Sequence, residues 1–160
     1  MIVETTIHSF SLWHHFAHKP DFDAIAFAEL ARSMGFQGIS LSLNNENYRH
    51  LGGREPERMD RLRAYLTTHE MSLEVDTSGT APAHMSEMLN VAHRMGATSL
   101  RTYTHHGGEV REMMQNTSDN LAAVMQEASD LDVIIVLENH EDFTGPELAE
   151  IVERVSHPNL

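Results

Sequence analysis

Hydrophobic positions along this chain keep two spacings in turn. Five short stretches rich in β-branched, aromatic or aliphatic residues read as strands: Thr5–Leu12, Gly38–Leu43, Met71–Asp76, Ser99–Thr104 and Val133–Glu138. Between them the period becomes that of a helix. Asp21–Gly35 has a cap-like Asp, then Ala26, Leu30 and Met34 on one stripe, then a stopping Gly. Glu55–His69 carries Pro in its first turn and sets Met59, Leu62 and Leu66 on one face. Pro82–Gly96 groups Met85, Met88, Ala92 and Met95. One long helix is predicted from Val110 to Asp130, with Met113, Thr117, Leu121, Val124 and Ala128 along its apolar side. The last helix opens at Thr144, with Glu147 at capping-box spacing.

Five strands thus alternate with five helices at roughly 30 residues per unit, the size of a βα repeat. The helix-to-strand joints echo each other, ARSMGFQGISL from Ala31 against AHRMGATSLRT from Ala92, each with a Gly fit for the left-handed turn that ends a helix. Repeated βα units call for a parallel sheet covered by helices. An open doubly wound sheet and a (β/α) barrel both satisfy that pattern. A nucleotide-binding open sheet carries a glycine-rich loop after its first strand, whereas this chain continues there as SLWHHFAHKPD. Polar and aromatic residues instead follow every strand: Trp13 and His14; Asn44 and Asn45; Asp76, Thr77 and Ser78; His105 and His106; Glu138, Asn139 and His140. Strand C-terminal ends share one pocket in a barrel, so the expected fold is a parallel (β/α) TIM-barrel type. Its five strands should be adjacent, parallel and in sequential order. A complete eight-unit barrel takes about 250 residues, against 160 here. The expectation is therefore a single domain over residues 1–160 with about five βα units, either the front part of a longer barrel or one whose sheet another chain completes, with SHPNL leading into a sixth strand. An uncovered VIIVL edge is an association hazard. The isolated chain is accordingly expected to self-associate as a homo-oligomer through Ile134–Leu137 or to exist within a larger molecule.

Composition narrows the chemistry. Net charge is −13, from 24 acidic and 11 basic residues, one of them lysine. Nucleic-acid binding relies on Lys and Arg against phosphate, so nucleic acid is not an expected partner. Lys19, in HKPD, is poorly placed for Schiff-base chemistry, which needs a desolvated amine. No cysteine is present, which removes disulfides and thiolate sites together. No apolar run spans a membrane and MIVETTIHSF does not read as a secretion signal, so the expected location is cytoplasmic. Twelve histidines point toward metal ligation or proton transfer, although His69, His84 and His93 fall on or beside helices and read as solvated.

The stretch IIVLENHEDFTG, Ile134–Gly145, poses the main chemical question. A strand interior runs directly into a carboxylate, and a buried charge needs a partner. Taken alone, Glu138 could be capped by backbone N–H groups or could ligate a metal.

GFQGISLSL, MSLEVD, GATSLRTYTHHGG and the closing VIIVLENHEDFTGPELAEIVERVSHPNL resemble the xylose isomerase-like barrels. That group holds sugar isomerases and epimerases, keto-sugar and inosose dehydratases, and endonuclease IV-type enzymes. The resemblance implies that Glu138 is a metal ligand and catalytic carboxylate, the other ligands being an Asp, a His and a Glu on later strands. It implies a divalent ion, with Mn²⁺, Mg²⁺, Co²⁺ and Zn²⁺ all suited to oxygen and imidazole donors. Trp13 and His14 then read as a stacking wall for a sugar ring, and His105 and His140 as substrate contacts, His140 alternatively as a hydrogen-bond partner of the carboxylate. The activity implied is metal-dependent isomerisation or epimerisation of a sugar or related polyhydroxy carbonyl compound through an enediolate. The alternatives are a dehydratase or lyase of a keto-sugar or cyclitol, and a truncated barrel without turnover. The endonuclease type ranks below these, because Asp76, Thr77 and Ser78 stand where it needs a histidine. With one ligand present, the isolated chain is expected to hold no tightly bound metal at Glu138 and to lack isomerase activity.

Overall fold

The computed structural model describes residues 4–45, 47–104 and 107–160. Its strands are β1 (Thr6–His8), β2 (Gly38–Ser42), β3 (Ser72–Asp76), β4 (Ser99–Tyr103) and β5 (Ile134–Glu138). Its helices are α1 (Trp13–His18), α2 (Ala24–Ser33), α3 (Pro56–Thr68), α4 (Pro82–Met95), α5 (Val110–Ala122), α6 (Met125–Asp130) and α7 (Gly145–Val155). The strand order is β1-β2-β3-β4-β5, sequential as the βα repeat requires. By contact the chain forms two compact units, one taking in the chain to Asp76 with Arg94–Thr98, the other Thr77–His93 with Ser99–Leu160.

In the first unit β1, β2 and β3 pair in parallel, with Ile7 beside Ile39 and Ile39 beside Leu73. Every residue of β2 is buried, as expected for a parallel strand covered on both faces. A Cβ at Gly38 would collide with the Ser72 hydroxyl, so β2 and β3 approach there on a glycine. Asp23 caps α2 by accepting from the Ile25 and Ala26 N–H groups at 3.0 and 2.9 Å. The helix gives way at Gly35, φ +89°, the left-handed stop read from the sequence.

Three elements of this unit depart from the sequence reading. The first strand ends at His8, and a 3-10 turn covers Ser9–Leu12. The His8 side chain itself accepts the Phe10 N–H at 3.2 Å, diverting the backbone from the ladder into the turn. The stripe of α2 is also rotated. Ala24, Phe27, Ala28 and Ala31 are buried, while Met34 is 56% exposed. Three alanines and one phenylalanine make a flat face that can lie close to the sheet; the larger Leu30 and Met34 flank it. The short helix α1, unpredicted, ends at Lys19, whose extended backbone is what the following Pro20 imposes.

In the second unit β4 and β5 pair in parallel, Leu100 beside Ile135. Met85, Met88, Ala92, Met113, Thr117, Leu121, Val124 and Ala128 are all buried, as the helical spacing predicted. The long helix is interrupted at Ala123 and Val124, dividing α5 from α6 without breaking the buried stripe. α5 packs on α7, and α7 opens with the predicted Thr144–Glu147 capping box. Along β5, Ile134 and Val136 are 49% and 39% exposed. The Ile135 N–H donates to the Asn159 carbonyl at 2.7 Å, and the Asn159 side chain donates to the Val133 carbonyl. The SHPNL segment therefore begins to lie against this strand. Among the described residues no helix is long and apolar enough to cross a membrane.

Candidate functional site

In the first unit, parallel register collects polar side chains on one face of the sheet. His8 stands beside Ser40 and Ser40 beside Glu74, and strand alternation adds Ser42 and Asp76 to the row. The Ser40 hydroxyl donates to Glu74 Oε1 at 2.8 Å. His8 bridges 68 positions of sequence to Asp76, with Nε2 2.7 Å from Oδ1. Its tautomer follows from its contacts. Nδ1 accepts the Phe10 N–H, so Nε2 carries the hydrogen and donates to the carboxylate.

Behind this row lies His50. Its Nδ1 shares a 2.8 Å hydrogen bond with Ser9 Oγ, which also accepts the Ser42 N–H at 3.0 Å. The imidazole stacks on Phe16 at 4.3 Å and meets the edge of Phe10 at 5.1 Å. Burial, reinforced by the charge of Arg49, lowers the His50 pKa from 6.5 to about 4. Between those values the unfolded chain binds a proton that the folded chain refuses, so stability falls as pH drops through this window. The contribution is roughly 2 kcal/mol, allowing for partial solvent screening. His50→Phe keeps a ring against Phe16 and removes the titration. Denaturant unfolding at pH 6.5 and 4 should show a gap between wild type and variant that changes by about that amount. A pH-invariant gap would mean that His50 titrates alike in both states.

Trp13 and His14, the expected stacking wall, lie on α1. Their rings stack on each other at 3.8 Å, and Trp13, 49% exposed, lines an open cavity of about 610 Å³.

In the second unit the candidate carboxylate closes β5. Glu138 Oε2 accepts from Arg101 Nη1 at 2.9 Å, both side chains being half-buried. Within the described residues Glu138 is thus paired with a guanidinium. The register explains it: Arg101 lies beside Val136 and Tyr103 beside Glu138, so all four share a face. His140 is exposed and stacks on Tyr103 at 4.3 Å and 18°. Of its two expected roles, the contact seen is a ring stack that leaves its nitrogens available to a ligand. His84, expected to be solvated, is half-buried with Nε2 2.8 Å from Thr77 Oγ1, because the first turn of α4 folds back over the loop after β3. His105 lies outside the described residues.

Glu138 offers the hard oxygen donor that divalent cations favour. It does so alone: among the described residues no three His, Asp or Glu side chains gather as a cation site.

Sequence reasoning missed His8, Arg101 and Tyr103. Extending β1 to Leu12 moved its end away from His8. Arg101 and Tyr103 carried a usable signal, since LRTY alternates in step with VLE.

A family model for the xylose isomerase-like TIM barrel matches residues 28–160. The Escherichia coli (strain K12) protein YihM is 21% identical over 132 residues, covering 82% of this chain and 40% of that protein. A D-psicose 3-epimerase structure in the presence of D-fructose superposes with a TM-score of 0.79 at 13% identity, over 98% of this chain and 61% of that one. The IOLI protein with a bound zinc atom gives 0.72 at 14% identity, over 98% and 60%. The chain therefore spans less than two thirds of each of these proteins.

Proposed function

The chain belongs to the xylose isomerase-like TIM-barrel family, and from that premise we propose that the full-length protein is a divalent-metal-dependent isomerase or epimerase of a sugar or related polyhydroxy carbonyl compound. The observation that carries the reading is Glu138, a half-buried carboxylate at the C-terminal end of a parallel strand, where barrels of this type concentrate their chemistry. Epimerase and zinc-bound structures of the same fold agree with it.

A divalent ion, held by Glu138 with donors from the remainder of a full-length barrel, would supply the positive charge that stabilises an enediolate. Glu138 would take the proton from the carbon beside the carbonyl and, for isomerisation, deliver it to the former carbonyl carbon. Epimerisation would need a second proton donor on the opposite face, from the remainder of the barrel. Arg101 would fix the orientation of the Glu138 carboxylate. Beside Glu138 in the second unit, His140, held flat on Tyr103, would reach a substrate hydroxyl. In the first unit, Trp13 and His14 would offer a stacking surface for a sugar ring.

The test is isotope incorporation. Full-length protein with Mn²⁺ and a panel of ketoses in deuterated water should place deuterium on the carbon next to the carbonyl. Deuterated product lacking one water would assign elimination in place of isomerisation. Turnover without any deuterium would count against proton transfer by a carboxylate.

A further inference from the structure

The first unit holds a cationic site that the reading above does not use. Arg49 sits in a turn with two successive residues at positive φ, Tyr48 at 48° and Arg49 at 26°. L side chains adopt this region only when surrounding contacts enforce it. Here Asn45 Oδ1 enforces it by accepting both the Asn47 and the Arg49 N–H. The turn delivers the Arg49 guanidinium over the Phe10 ring, 4.9 Å from its centre, and into the lining of the 610 Å³ cavity.

The guanidinium is under-used there. Nη2 donates to the Asn44 carbonyl at 3.0 Å, while Nε is buried with no hydrogen-bond partner. Among the described residues no carboxylate pairs with it, in a chain whose net charge is −13. The other charges on the lining are committed: Asp23 caps α2, and Arg58 bonds Glu55 at 2.9 Å. His50, on the same lining, stays neutral at physiological pH. Of the two arginines on the lining, Arg49 is thus the one without a carboxylate partner among the described residues. Around it stand Phe10, Trp13 and Phe16, with Phe10 and Trp13 41% and 49% exposed. Exposed rings next to an under-bonded guanidinium suit a ring compound that also bears a planar or tetrahedral anion.

We propose that this cavity binds a sugar-sized ring carrying a carboxylate or phosphate, the anion on the Arg49 guanidinium and the ring against Trp13 and Phe10. The proposal rests on the reading of Trp13 as a stacking wall and is independent of Glu138 and of any metal.

Trp13 is the one tryptophan of the sequence, so its emission reports on the cavity directly, and Trp13→Phe identifies the signal. D-Glucuronate and D-glucose 6-phosphate should each perturb it saturably, at least one of them with a Kd at least tenfold below that of D-glucose. Inorganic phosphate should bind at least tenfold more weakly than D-glucose 6-phosphate, and the order of the two anionic sugars distinguishes carboxylate from phosphate. Arg49→Met should abolish the preference for anionic over neutral sugar, and Arg49→Lys should retain part of it. Equal affinity for neutral and anionic sugars in the wild-type protein would overturn the proposal while leaving the stacking role of Trp13 intact. No response to any sugar would overturn both. That wild-type comparison decides the matter even if an Arg49 variant fails to fold.

Discussion

Glu138→Gln, made in the full-length protein, is expected to lower turnover at least about a thousandfold, the scale of a positioned acid–base group. Gln keeps the shape and one hydrogen-bonding oxygen for Arg101 Nη1. It loses the negative charge and the ability to take up a proton. The same change should weaken Mn²⁺ binding, measured by titration calorimetry. Folding stability should fall by no more than about 1 kcal/mol, because the Arg101–Glu138 pair is partly solvated. Those outcomes together separate chemistry from architecture. A variant with wild-type rate and metal content would make Glu138 a structural carboxylate whose role is to neutralise Arg101.

Phe27→Ala should produce the largest loss of stability among the single changes considered. Phe27 is fully buried on the inner face of α2, its ring 5.6 Å from that of Phe16. Truncating such a ring leaves a cavity and costs about 3–5 kcal/mol, against a total of about 5–15 kcal/mol for a typical domain. Met34→Ala on the same helix should stay within about 0.5 kcal/mol, as its side chain is largely in water. Denaturant midpoints for the pair would check which stripe of α2 faces the core. Equal losses would restore the stripe of Ala26, Leu30 and Met34.

That stripe shows where sequence reading reached its limit. The periodicity of α2 was plain, but two overlapping stripes fit it, and only packing chose between them. Elsewhere local signals were sufficient. Met59, Leu62 and Leu66 on α3, and Met85, Met88 and Ala92 on α4, are buried as spaced. The glycine stop at Gly35 and the Thr144–Glu147 capping box also form as read. These features depend on backbone groups within about one helical turn, so a few neighbouring residues determine them.

The same holds for the parallel fold. Strand–helix alternation is written in period changes, and a parallel neighbour needs an intervening helix whatever its details. By itself, then, the sequence determined the strand order, most of the buried faces and the position of Glu138 at a strand end. It did not determine what meets Glu138. Arg101 is 37 positions away and His8 is 68 from Asp76, and both pairings arise from strand register, where one step reverses every side chain. The turn that carries Arg49 is held locally by Asn45, but the aromatic cavity it faces is built from Phe10, Trp13 and Phe16, more than 30 positions before Arg49. Which charges meet, and which guanidinium keeps donors in reserve, became definite only when the sheet brought distant residues within a few ångströms.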